Sequence, residues 1–324
     1  MSPLNQFDPE GRLRHLITLE GLTPDQILGL LDRAQHHVRP IHEAPSTGRS
    51  LAGLTVANIF TEPSTRTRAS FELAARRLGA DVLNLEIMLS SRAKGETVLD
   101  TIHTLQAMST DVFVIRDAQP GVCRLVADHV AAHVSVLSAG EAHLSHPTQG
   151  LLDALTIRQK KGGFKQLTLA IVGDIRHSRV ARSAYQVFSA LGVGELRIVA
   201  PAALMPEPNE MPSAQRFDSI EAGIAQADVV MMLRIQKERM VQADIPDADD
   251  YFVRWGLTSK RLALAKKDAI VMHPGPMNRE VEIASEVADG PQSVIRQQVT
   301  NGVAVRMALL ETVIHHRARG QIGS

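Results

Sequence analysis

Short apolar runs alternate with segments of helical spacing along most of this chain. Leu54–Phe60, Val82–Ile87, Val112–Arg116 and Val134–Leu137 come first, then Leu167–Val172, Leu196–Ala200, Val229–Leu233 and Ala269–Met272. A strand, helix, strand order of this kind predicts parallel sheets joined by crossover helices. A length of 324 residues corresponds to about two domains of ordinary size. Two sheets of about four strands therefore fit better than one of eight. The expected fold class is α/β, with two doubly wound domains, each a mainly parallel sheet flanked by helices. The break is expected near His146-Pro147, ahead of a helix over Thr148–Lys161. That divides the chain into residues 1–147 and 148–301. Val303 to Ile314 has helical spacing, and a last helix over 302–324 is expected to return to the first half. Residues 1–20 mix polar and charged types and read as a loosely attached arm. A helix is expected over 23–37, opened by Thr23-Pro24 and carrying Ile27, Leu28, Leu30 and Leu31 on its apolar face.

Composition narrows the range of functions. Lys+Arg and Asp+Glu are equal at 35 each, so no net positive field draws the chain to nucleic acid or a membrane surface. Clusters of arginine must then be explained locally. Cys123 is the single cysteine, which excludes an intrachain disulfide framework and a cysteine-based zinc cluster. The first residues hold no apolar core of signal-peptide type, and no apolar run approaches the ~20 residues that span a bilayer. The expected location is the cytoplasm.

The segment after the first strand carries the most chemistry. Phe71, Ala74, Ala75 and Leu78 recur at the spacing of a helix face, and Gly79 is a natural stop. Pro63, Ser64 and Thr65 then fall where that helix begins, and serine or threonine is a favoured N-cap. The first N–H groups of a helix have no internal partner and sit at the positive end of its dipole, so an anion binds there readily. Ser64, Thr65 and Thr67 add hydroxyls, and Arg66 adds a fork that matches phosphate oxygens. A capped helix with solvated arginines is the plainer alternative. Ser64-Thr65-Arg66-Thr67-Arg68, five such residues at one strand-to-helix turn, favour an anion site, at the strand end where open α/β sheets place ligands. Val172-Gly173-Asp174 also ends a strand, but the G-x-G-x-x-G spacing of a dinucleotide site does not follow it.

FTEPSTRTRASFE resembles the carbamoyl-phosphate signature of the aspartate and ornithine carbamoyltransferases. The similarity continues, in family order and spacing, through SSRAKGETVLDT, FVIRD, HPTQGLLD, VGDIRHSRVARS, MLRIQKERM and VMHPGPMNREVEI. It covers most of the chain from about residue 50. The acceptor-side motifs are similar to the aspartate branch. Ornithine enzymes typically show HPCQ, a Ser-Met-Gly segment and HCLP, where this chain has His146-Pro147-Thr148-Gln149 and His273-Pro274-Gly275-Pro276. Met277-Asn278-Arg279 resembles a bacterial pattern.

The resemblance implies transfer of a carbamoyl group from carbamoyl phosphate to L-aspartate, an early step of pyrimidine biosynthesis, with no metal or organic cofactor; the alternatives are another amino acceptor such as ornithine, or a non-catalytic homologue that serves regulation or assembly. It assigns the phosphate to Ser64, Thr65, Arg66 and Thr67, and the carbonyl oxygen to Thr67, Arg116 and His146. The carbamoyl amide falls to Gln149 and to backbone carbonyls at Gly275 and Pro276. Arg179 is the implied reader of the α-carboxylate of aspartate, and Arg234 with Gln236 of its side-chain carboxylate. Ser90, or Ser91 in its place, and Lys94 are implied to enter the site of a neighbouring subunit, in a homotrimer with shared sites. Some homologues use an N-terminal arm to assemble with a dihydroorotase-like partner, and a regulatory chain is a further partner to consider. Each cation also has a plainer reading: Arg116 as a strand-end ion pair with Asp117, Arg234 as part of a salt-bridged surface, Lys94 as an exposed loop lysine. His143 and His146 lack the further ligands that a metal pair needs.

Overall fold

The structure, a computed structural model, describes residues 6–40, 42–85, 97–235 and 248–314. In chain order the elements are α1 (Pro24–His37), β1 (Thr55–Phe60), α2 (Thr65–Arg77), β2 (Asp81–Leu85), α3 (Val98–Ala107), β3 (Thr110–Asp117), α4 (Val122–His129), β4 (Ser135–Glu141) and α5 (Pro147–Lys161). They continue with β5 (Thr168–Val172), α6 (Arg179–Ala190), β6 (Glu195–Val199), β7 (Gln215–Phe217), α7 (Ile220–Ile224), β8 (Val229–Met232), α8 (Ala248–Trp255), α9 (Ser259–Leu262), β9 (Ile270–Met272), α10 (Ser285–Ala288) and α11 (Ile295–Ile314).

The strands form two sheets, in the orders β2-β1-β3-β4 and β7-β6-β5-β8-β9, and every pairing between named strands is parallel. The expected α/β class with two parallel sheets is the one found. Parallel neighbours need a long crossover, and the intervening helices supply it. The chain divides into two compact units. The first takes residues up to Gly21, Asp25–Leu151 and Thr300 onward, and the second takes Leu22–Pro24 and Leu152–Val299. In the first unit Ala57, Ile59, Phe113, Ile115 and Val136 meet Ile102, Cys123 and Val126 in one apolar core.

The same device fixes strand register in both units. Asp111, at the start of β3, accepts the backbone N–H of Thr55 at the start of β1 at 2.8 Å. Asp228, just before β8, accepts the N–H of Thr168 at the start of β5 at 2.9 Å. Each carboxylate thus satisfies a strand-end donor that the ladder leaves over, and a slip of one residue would orphan it.

Three local expectations need correction. Residues 6–20 are not a loose arm. Gln6 is buried, and its Oε1 accepts from Ile17 N at 2.7 Å and Thr18 N at 3.0 Å. Leu16 pairs in parallel beside β4, taking the N–H of Ser138 on its carbonyl and donating to the carbonyl of Val136. Arg14 spans the carbonyls of Val130, Ala131 and Val134. Polar residues are used here to tie backbone to backbone, so polarity did not mean exposure. Second, β4 runs on to Glu141, beyond the apolar run that stops at Leu137. The added residues are polar or small, yet buried. Glu141 accepts the backbone N–H of Cys123 at 2.7 Å, near the start of α4. Third, α11 begins at Ile295, before the apolar spacing that starts at Val303. Its buried Ala304, Val305, Met307, Ala308, Leu309, Leu310 and Val313 return to the first unit, where Ser135 Oγ donates to the Val313 carbonyl at 3.2 Å.

Candidate active site

In the first unit, Thr61 leaves β1 donating its N–H to the Arg116 carbonyl at 3.0 Å, and Ser64 is the N-cap of α2. The expected serine cap holds in position only. Ser64 has φ −161° and its side chain makes no capping hydrogen bond, and the first turn of α2 carries no acidic residue. The hydroxyl is therefore left out of the helix's own bonding, at the end where the dipole is positive. Thr65 and Arg66 are exposed and Thr67 is buried. The helix is held by Phe71, Ala74, Ala75 and Leu78, all fully buried, and stops at Gly79, whose φ of +85° suits glycine. Packing thus fixes one face of α2 and leaves Thr65 and Arg66 of its N-terminal turn exposed.

Arg116 ends up against Glu62, a residue sequence reasoning passed over. Its Nε lies 2.8 Å from Glu62 Oε1 and its Nη1 donates to the Ala139 carbonyl at 3.3 Å. Asp117, the partner considered from the sequence, instead accepts the backbone N–H of Gln119 at 2.8 Å. Glu62 lies two residues beyond β1, and its only signal was a carboxylate at the carboxyl end of a strand beside the one that carries Arg116. His146 and Gln149 are buried at the entrance of α5, with Gln149 N donating to the His146 carbonyl at 3.0 Å. Ser64, Thr65, Arg66, Thr67, Arg116, His146 and Gln149 all follow, or end, strands β1, β3 and β4 at their carboxyl edge. Ser90 and Lys94 lie outside the described residues.

In the second unit, Arg179, Arg234 and Gly275-Pro276 likewise follow the carboxyl ends of β5, β8 and β9. Ser178 caps α6 through its Oγ, which accepts from Ala181 N at 3.1 Å, so buried Arg179 is the first helical residue. Gly173, just past β5, has φ +125°, and a Cβ there would sit 2.8 Å from the Leu233 carbonyl oxygen. This glycine allows two strands to close on one another. Gln236 lies outside the described residues.

The turn after β9 is set by a buried histidine. His273 Nδ1 accepts the N–H of Gly275 at 2.8 Å, which places the ring proton on Nε2. Nε2 then donates to Glu282 Oε1 at 3.2 Å, and the same oxygen accepts the N–H of Asn278 at 2.5 Å. The backbone of His273 donates to Gln298 Oε1 at 3.0 Å, and Gln298 Nε2 donates to Asp153 Oδ1 at 2.8 Å. This chain of buried groups fixes the direction of the Gly275 and Pro276 carbonyls without using a side chain of either. The Gly275-Pro276 peptide is cis.

Chemically, one unit presents hydroxyls, guanidinium groups and a helix start suited to a phosphate, and the other presents two arginines and backbone carbonyls. The aspartate/ornithine carbamoyltransferase model for the carbamoyl-P binding domain matches residues 14–159, and that for the Asp/Orn binding domain matches residues 165–313. An aspartate transcarbamoylase from Trypanosoma cruzi, solved with N-(phosphonacetyl)-L-aspartic acid, is 30% identical over 93% of this chain and 96% of that chain, with a TM-score of 0.83. The T. cruzi enzyme with carbamoyl phosphate and aspartate is 30% identical over 93% of this chain and 97% of that chain, with a TM-score of 0.82. An ornithine carbamoyltransferase from Thermus thermophilus, 24% identical over 93% and 99% of the two chains with a TM-score of 0.81, shares the fold. With both of its domain models matched in order across nearly the whole chain, this protein belongs to the aspartate/ornithine carbamoyltransferase family.

Proposed function

We propose that the protein transfers the carbamoyl group of carbamoyl phosphate to L-aspartate, giving N-carbamoyl-L-aspartate and phosphate. The observation that carries this reading is the split of cationic groups between the units. A helix start with Ser64, Thr65, Arg66 and Thr67 suits a phosphate, and Arg179 and Arg234 at two strand ends suit the two carboxylates of aspartate. A cationic ornithine side chain would call for an acid in place of Arg234. The amine nitrogen attacks the carbonyl carbon, loses a proton, and the bond to the phosphate oxygen breaks. Arg116, His146 and Thr67 stabilise the oxyanion, and Arg66 with the start of α2 stabilises the leaving phosphate. Gln149 and the carbonyls of Gly275 and Pro276 orient the carbamoyl NH₂. Holding two anions in attack geometry supplies much of the acceleration. Purified protein is expected to release phosphate from carbamoyl phosphate with L-aspartate and not with L-ornithine. The opposite preference would overturn the acceptor assignment.

The domains that the reaction needs are residues 1–147 with the last helix for carbamoyl phosphate, and residues 148–301 for aspartate. Met277-Asn278-Arg279 supports placement in a bacterial branch. The active unit in this reading is a cytoplasmic homotrimer in which Ser90 and Lys94 of one subunit complete the site of the next, and Gln236 assists Arg234. Mixing inactive Lys94→Ala and Arg66→Ala subunits is then expected to restore part of the activity, through hybrid trimers with intact shared sites. No recovery after verified subunit exchange would remove the shared-site proposal.

A further inference from the structure

Arg306 lies in the middle of the apolar stretch of α11 and is buried. Its guanidinium carbon sits 4.9 Å from the centre of the Phe71 ring. Nη2 donates to Thr148 Oγ1 at 3.2 Å and Nη1 to the Gly302 carbonyl at 2.9 Å. Nε has no hydrogen-bond partner, and no carboxylate pairs with the group among the described residues. A buried cation without a counter-ion is costly to a fold, and cores seldom keep one. Burial pushes its pKa down to about 10, so it stays charged at neutral pH. Its two neighbours are informative. Phe71 lies one helical turn after Thr67 on α2, and Thr148 lies between His146 and Gln149 at the entrance of α5. The Phe71 face and the Thr148 hydroxyl are met by one planar group.

We propose that Arg306 is a positioning residue of the carbamoyl-phosphate site: its guanidinium clamps the phosphate helix α2, through Phe71, to the His146–Gln149 segment, through Thr148, and its unneutralised charge favours the bound anion. The role rests on the carbamoyl-phosphate reading above. Arg306 touches no substrate in this scheme. It holds together two elements that do, and its charge acts through a low-dielectric interior where it is weakly screened.

The test compares wild type with Arg306→Met and Arg306→Lys, using calorimetric binding of inorganic phosphate, steady-state kinetics and thermal melts. Arg306→Met is expected to melt at or above the wild-type temperature, because an unpaired buried charge is gone. It is expected to bind phosphate about tenfold more weakly and to lose about a hundredfold in kcat through the misplaced cradle. Arg306→Lys keeps the charge and loses the planar stack, so phosphate affinity is expected to recover while kcat stays low. Wild-type phosphate affinity and kcat in Arg306→Met, or losses in both variants that only track the unfolded fraction, would overturn the proposal. Failure of the wild type itself to bind phosphate would instead remove the carbamoyl-phosphate reading, which separates the two failures.

Discussion

Arg66→Ala is expected to lower turnover by roughly three orders of magnitude, the scale seen when one preorganised donor to developing charge is removed. Arg66 is the second residue of α2 and is exposed, whereas the helix is anchored by Phe71, Ala74, Ala75 and Leu78 on its buried face. Alanine is a good helix former, so the change is expected to move stability by no more than about 0.5 kcal/mol. Loss of activity and retention of the fold are thus predicted together. Phosphate-release kinetics and a thermal melt on the same preparation check both. Near-normal turnover would remove the phosphate assignment from this helix start, and an unfolded variant would show that the residue has a structural role the packing does not reveal.

Gly173→Ala is expected to cost about 3 kcal/mol of stability or more, since strain at an unfavourable φ and overpacking act together. The φ of +125° disfavours any side chain, and the new Cβ would lie 2.8 Å from the Leu233 carbonyl oxygen. Neither strand can easily step aside. Gly173 N donates to the Val199 carbonyl at 3.0 Å, and Leu233 N donates to the Val172 carbonyl at 2.8 Å. If the protein survives, the strain reaches Arg234, the next residue after Leu233. The KM for the proposed acceptor, aspartate, is then expected to rise well beyond any change in phosphate affinity. An unchanged urea midpoint would refute the packing argument.

Much of the fold was legible because its strands are short apolar runs between helices, a pattern that parallel sheets impose. β7 was not legible: Gln215–Phe217 is three residues long, and its first two side chains are exposed at a sheet edge. The packed start of the chain was also hidden, because Gln6 looks solvated until the chain folds back on it at Ile17 and Thr18, and Arg14 until its distant partners Val130, Ala131 and Val134 are known. The candidate site was legible as motifs. The supports beneath it were not. Glu62 reads as one acid among many until folding sets it beside Arg116. His273 and Glu282, nine residues apart, gain meaning only from the turn they enclose. Arg306 falls in an apolar helix where one charge resembles an exposed position, and only the ring of Phe71 and the hydroxyl of Thr148 show otherwise.

The discontinuity of the first unit also bears on the order in which the protein is made. Its sheet is made before the second unit, but the part of α11 that supplies Arg306 and the apolar residues from Ala304 to Val313 is made only after it. The whole of Leu152–Val299 intervenes. At about 5–20 residues per second the nascent first unit waits on the order of ten seconds with part of its core uncovered. The second unit has all of its residues before then. The unit proposed to hold carbamoyl phosphate is thus interrupted by the other, so a chain stalled before Thr300 would carry every residue of Leu152–Val299 while the first unit still lacked its share of α11.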